Sequence, residues 1–254
     1  MFGTTPVIMN DIPIGARQTE VHVWAVWLNA SAEVNRAYRR MLSPDEIVRA
    51  DRFVFEHLTR SYELSQGALR LLLAHSLKCA PQDIQFRFGA RGKPMLQDGS
   101  QICFNMAHSS GLALYAYTVS CEIGIDVEEL RDISDIEQVA SHYFSKAEAA
   151  ELLSISRELP RRDAFFRCWT RKEAYIKAIG EGLYLPLDQF QVTLLPDAPA
   201  KFVHIGNDCS AASEWTLQHL DPAPNYVGAL AYQGAPRILV LHEPLHPAQL
   251  LNRI

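Results

Sequence analysis

The amino-acid sequence predicts an α+β fold of two similar lobes, each with helices packed on a mostly antiparallel sheet. Three observations point there. Short runs rich in β-branched and aromatic residues alternate with stretches whose apolar residues recur at helical spacing. A Ser-x-x-Glu helix start, in which serine and glutamate each satisfy a free backbone N–H, occurs at Ser43 and again at Ser145, 102 residues later. The strand before each start and the helix after it share nearly that offset, with little residue identity. At roughly 150 residues per domain, 254 residues make one large domain or two small ones. The repeat therefore divides the chain into lobes at 1–120 and 121–254, and the cleft between them is a favoured place for a ligand.

Taken in order, residues 21–28 (VHVWAVWL) read as a buried strand. Ser43-Pro44-Asp45-Glu46 opens a helix, with Pro44 at the first helical position. A second helix spans 59–78, carrying Leu64, Ala68, Leu71, Leu72 and His75 on one face. Strands follow at 84–88, 102–106 and 112–119. The order then restarts with a strand at 123–128, the second helix start at Ser145, and a helix over 162–179 closed by Gly180, a left-handed cap. Strands at 190–195, 201–205, 215–220, 226–232 and 238–241 complete the pattern.

Composition excludes several classes. With 48% hydrophobic and 21% charged residues the chain is neither disordered nor fibrous. A net charge of −5 leaves no global basic field for nucleic acid, though a local basic pocket is compatible with it. Cys79, Cys103, Cys121, Cys168 and Cys209 form no C-x-x-C pair, which fits reduced thiols in a cytoplasmic protein. Residues 1–15 lack the pattern of a secretory leader, and no stretch is apolar for the roughly 18 residues of a membrane span.

Four places could carry chemistry. In Gly124-Ile125-Asp126-Val127-Glu128, strand alternation puts both carboxylates on one face, a pair suited to a hard cation such as Mg²⁺; the plainer reading is a solvated strand face. Glycine at 124 permits close approach of another group. Trp169, Glu173 and Lys177 share a helix face. They are either an ordinary surface pair or, because a tryptophan marks a partly buried face, an acid/base and phosphate-neutralising pair in a cleft. His108 and Ser109 stand at a turn after a strand, and Lys93 sits in the loop Gly92-Lys93-Pro94. Finally Arg36, Arg39, Arg40, Arg49, Arg52 and Arg60 crowd the first helices, fit either to bind phosphate or to pair with Asp45, Glu46, Asp51 and Glu56.

In order and spacing, Gly92-Lys93-Pro94, Phe104-Asn105-x-x-His108-Ser109, Gly124-Ile125-Asp126-Val127-Glu128 and Trp169-Thr170-x-Lys172-Glu173-Ala174-x-x-Lys177-Ala178-x-Gly180 resemble the 4'-phosphopantetheinyl transferases of the Sfp-like type over residues 40–185. The resemblance implies a monomeric pseudo-dimer with coenzyme A in the cleft. It would transfer phosphopantetheine to a serine of an apo acyl or peptidyl carrier protein of fatty acid, polyketide or nonribosomal peptide synthesis and release adenosine 3',5'-bisphosphate. It also implies Asp126, Glu128 and Glu173 as ligands of Mg²⁺, or of Mn²⁺. Glu173, Lys177 and His108 become the catalytic residues, and Lys93, His108, Ser109, Arg49, Arg52, Arg60 and Lys177 the coenzyme A contacts. Ala107 departs from the pattern, since many relatives carry serine before the histidine. A Mg²⁺-dependent phosphohydrolase acting on a nucleotide and a catalytically silent coenzyme A or carrier-binding module are the competing readings. Leu130, Ile133, Ile136 and Val139 offer a strip for carrier docking, or else the buried side of a helix.

Overall fold

A computed structural model describes residues 7–8, 18–97, 99–206 and 208–254. The leader-free reading of residues 1–15 falls largely outside them, as does the Cys209 side chain. Among the described residues, twelve strands and eight α-helices follow in order: β1 (Val7–Ile8), β2 (Glu20–Trp27), α1 (Ala32–Arg39), α2 (Pro44–Ala50), α3 (Glu56–Leu77), β3 (Phe86–Phe88), β4 (Pro94–Leu96), β5 (Ile102–Ser109), β6 (Leu112–Val119), β7 (Ile123–Glu129), α4 (Ile136–Tyr143), α5 (Lys146–Leu153), α6 (Glu158–Ile179), β8 (Phe190–Val192), β9 (Phe202–Ile205), α7 (Cys209–Ala212), β10 (Trp215–Leu220), β11 (Tyr226–Gln233), β12 (Ile238–Leu241) and α8 (Pro247–Arg253).

The 102-residue repeat extends further than its two serines. Both form capping boxes, and the long helices α3 and α6 start and stop 102 residues apart, closing on left-handed Lys78 (φ 56°) and Gly180 (φ 76°). The capping glutamates do a second job. Glu46 ion-pairs with Arg70 of α3 at 2.6 Å, and Glu148 with Lys172 of α6 at 2.8 Å. Arg70 donates to the carbonyls of Pro81 and Ile84, and Lys172 to those of Leu187 and Phe190. Each cation also lies over a phenylalanine ring, Phe86 or Phe190. Both cations are fully buried, and burying a charge is tolerable only with this completeness of partners.

Two sheets stack between the long helices. The five-stranded sheet runs β1-β12-β2-β6-β5 and the three-stranded sheet β10-β11-β7, with β3-β4 and β8-β9 as separate hairpins. Strand alternation sends Trp24 and Val26 to a core under α3. Val21, Val23 and Ala25 go to a shared core with Ile123, Ile125 and Val127 of the second sheet. On the far face, α6 covers Val227, Ala229 and Ala231. Pairing is antiparallel except where β12 joins β1 and β2 in parallel.

That crossing corrects the division at residue 120. β12 pairs with β2, and Leu245 and Leu250 pack into the α3 core, so the C-terminal end of the chain completes the first lobe. The adjoining β5 and β7 are joined by side chains: Asn105 Oδ1 accepts from the N–H of Ile125 at 2.9 Å, and Ser109 Oγ from that of Glu129. These bonds satisfy donors of an edge strand that would otherwise be buried unpaired.

Candidate active site

The site grows from Gly124. A Cβ there would stand 2.1 Å from the Ala174 carbonyl oxygen and 2.3 Å from the Ala178 nitrogen, so α6 lies directly on β7. The close approach expected from the glycine is thus a helix backbone. With α6 this near, Asp126 on the same strand face meets the Trp169–Glu173–Lys177 face. Lys177 Nζ donates to Asp126 Oδ1 at 2.6 Å. Trp169 is half-buried against Phe165 and Tyr143, which favours the cleft reading of this face over an exposed surface pair.

Three carboxylates act on one another here. Burial pushes the Asp126 pKa up to about 7; Lys177 opposes the shift, and the charges of Glu173 and Glu128 add to it. Glu173 is likewise raised by burial, against Lys177 and with Glu128. Asp126 Oδ2 and Glu173 Oε1 are buried without a hydrogen-bond partner. Unpaired carboxylate oxygens in a half-buried site are the donors a hard divalent cation takes. Glu128 is engaged elsewhere, accepting from Ser109 Oγ and Arg131 Nη1 at 2.9 Å each. Among the described residues no three ligands are gathered closely enough to hold a metal ion. The donor chemistry therefore fits a cation through Asp126 and Glu173, while the third expected ligand is turned toward Ser109.

A cleft of about 470 Å³ opens beside this cluster, bounded by Glu46 and Arg49 of α2, Tyr62 and Gln66 of α3, and His108 of β5, with Lys177 at its floor. A smaller space of about 270 Å³ continues past Lys177 to Glu173, Lys93 and Arg91. His108 faces the cleft, and burial together with the charge of Lys177 lowers its pKa. Ala107 is buried in the core between the sheets and brings only a methyl group to the cleft wall. Another cavity lies away from this cluster, between Val23, Leu114, Leu220 and Leu241, with Asp221, His242 and Glu243 also in its lining.

The remaining expected contacts divide. Arg49 lines the cleft, its guanidinium over the Tyr62 ring at 5.4 Å. Arg52 is exposed and outside the cleft lining, and Arg60 pairs with Glu56 along α3. Arg39 joins Asp51 and Glu63, so the salt-bridge reading holds for that part of the cluster. Lys93 donates to Glu122 and to the Ala178 carbonyl, fastening its loop to the end of α6. Ser109 ties Glu128 to the backbone of Glu129. The strip Leu130, Ile133, Ile136 and Val139 packs into the α6 core, so it is the buried side of its segment rather than a docking face.

Sequence reasoning missed the cleft walls Tyr62, Gln66, Phe86 and Met106, which carry no motif. It gave Arg70 no role and quoted Lys172 only as a motif position, without reading their 102-residue offset as a pair of buried cations.

The profile of the 4'-phosphopantetheinyl transferase superfamily matches residues 122–231, which include Asp126, Glu128, Glu173 and Lys177. The chain is similar to the 4'-phosphopantetheinyl transferase HetI of Nostoc sp., at 38% identity over 85% of this chain and 88% of that one. It is similar to the 4'-phosphopantetheinyl transferase Sfp of Bacillus subtilis at 32% identity over 66% of this chain and 73% of the other. A putative 4'-phosphopantetheinyl transferase of Synechocystis sp. matches at 33% over 71% and 72%. At 38% identity over 85% of its length to one such transferase, and with a match to the superfamily's profile, the chain belongs to the 4'-phosphopantetheinyl transferase superfamily.

Proposed function

We propose that this protein transfers the 4'-phosphopantetheine group of coenzyme A to a serine of an apo acyl or peptidyl carrier protein. The serine oxygen bonds to the phosphorus that bears pantetheine, the pyrophosphate P–O bond breaks, and adenosine 3',5'-bisphosphate leaves. The observation that carries this is the pair of orphaned carboxylate oxygens, on Asp126 and Glu173, beside Lys177. Phosphoryl transfer needs positioning and charge neutralisation more than covalent help from the protein. Asp126, Glu173 and, once released from Ser109 and Arg131, Glu128 would hold Mg²⁺ or Mn²⁺, which would supply neutralisation of the pyrophosphate.

Glu173 receives the serine proton; its raised pKa suits a base that must keep the proton while the bond forms. Lys177 turns its ammonium to the leaving phosphate, and His108 and Arg49 hold phosphate oxygens from the cleft wall. Lys93 keeps the end of α6, and with it Lys177, in place. The enzyme works as a cytoplasmic monomer, because the internal repeat already supplies both walls of the cleft. Phosphohydrolase and silent-module readings gain no support from the relatives. Incubating the protein with Mg²⁺, coenzyme A and a panel of apo carriers gives a phosphopantetheine-sized mass gain on a carrier. Glu173→Gln and Asp126→Asn each slow it by roughly 10²-fold or more. No gain on any carrier overturns the assignment.

A further inference from the structure

A transferase whose nucleophile arrives on another protein needs a surface that seats that protein at the cleft rim. The junction of α2 and α3 exposes a run of large apolar side chains: Val48, Phe53, Val54, Phe55 and Leu58, with Val54 89% and Phe55 60% accessible. Contiguous exposed apolar surface of this kind marks an interaction site.

The patch is continuous with the cleft. The Phe53 ring meets that of Tyr62 at 5.5 Å, and Tyr62 and Arg49 line the cleft. Nearby carboxylates are already engaged, Glu46 by Arg70, Asp51 by Arg39 and Glu56 by Arg60. Among the described residues Arg49 and Arg52 pair with no carboxylate, and Asp45 stands on the cleft side.

Local stability gives a second argument. Phe55 occupies the N-cap of α3 and makes no side-chain cap bond. Serine or aspartate at an N-cap stabilises a helix by about 1 kcal/mol, so phenylalanine there works against its own helix and is explained by a role outside it.

We infer that residues 48–58 are the surface on which the serine-bearing carrier docks, through a partner face of apolar side chains edged by carboxylates that meet the exposed Arg52. This rests on the transferase reading above. The test varies apo carrier at saturating coenzyme A with the double variant Val54→Asp/Phe55→Asp, both residues being exposed enough to spare the fold. The expected result is a KM for carrier raised at least tenfold, with KM for coenzyme A and the rate at saturating carrier within twofold. Leu159→Asp, an exposed apolar site on α6, leaves all three unchanged. A wild-type protein that modifies carrier while the double variant keeps its KM overturns the docking surface alone. Loss of a dimer in the variant, seen by light scattering with an unchanged carrier KM, reassigns the patch to a second copy of the chain. A wild type that modifies no carrier overturns the transferase reading itself, and the docking with it.

Discussion

Gly124→Ala puts one methyl group where α6 rests on β7. The added Cβ would lie 2.1 Å from the Ala174 oxygen, 2.3 Å from the Ala178 nitrogen and 2.9 Å from the Ala178 Cα, whereas real Cβ contacts stay beyond 3.0 Å. Helix and strand must separate by at least 0.9 Å, the difference between 3.0 and 2.1 Å. All three obstructing atoms are backbone, so no side-chain rotation relieves the clash. Overpacking of this kind costs about 1–3 kcal/mol or more, read as a lower urea midpoint at unchanged m-value. The same displacement carries Glu173 and Lys177 away from Asp126 and opens the 2.6 Å Lys177–Asp126 contact. A misplacement near 1 Å costs about 10²-fold in rate, measured as carrier modification at a temperature where the variant is folded. Gly89→Ala is the control, since a Cβ there meets nothing nearer than 3.5 Å. A Gly124→Ala protein within about 0.5 kcal/mol of wild type and at full rate would refute the claim that α6 sits on this glycine.

Lys172→Met leaves Glu148 as a buried carboxylate without its cation and is expected to cost about 3–5 kcal/mol; Lys172→Met/Glu148→Gln recovers part of the loss, and chemical denaturation of the two variants checks both statements. A buried imidazole pair sets an acid limit. His22 and His242 stand 3.3 Å apart, and burial, with the charges of His22 and Arg253, lowers His242 from 6.5 to about 3. The unfolded chain takes up this proton near pH 6.5 and the folded chain does not. The stability is therefore complete above 6.5 and lost as pH falls toward 3. His242 alone accounts for about 2 kcal/mol between pH 6.5 and 5, at 1.36 kcal/mol per unit. Urea unfolding at the two values gives a smaller drop in His242→Gln, and equal drops would show that His242 does not set the limit. Arg49→Ala is expected to raise KM for coenzyme A several-fold with little change in carrier KM, whereas Arg60→Ala, already paired with Glu56, leaves both unchanged; steady-state kinetics distinguish the two.

Local chemistry, legible in the amino-acid sequence, dictates several of the elements. Ser43 and Ser145 cap their helices because the capping box closes within four residues, and Gly180 ends α6 because it takes the left-handed conformation without penalty. The motifs also named the residues of the acidic strand and of the Glu173–Lys177 face, since alternation and helical spacing fix which side chains share a side. Tertiary structure decided what those side chains touch. Lys93 and Ser109 carry motif positions yet serve here as ties, to the end of α6 and to β7, because their partners come from elements remote in sequence. The strip at 130–139 had the spacing of an exposed or a buried face alike, and only the packing of α6 chose the buried one. The return of β12 to the first sheet is likewise invisible locally, since a strand's pattern shows that one face is apolar and not which neighbour it will pair with.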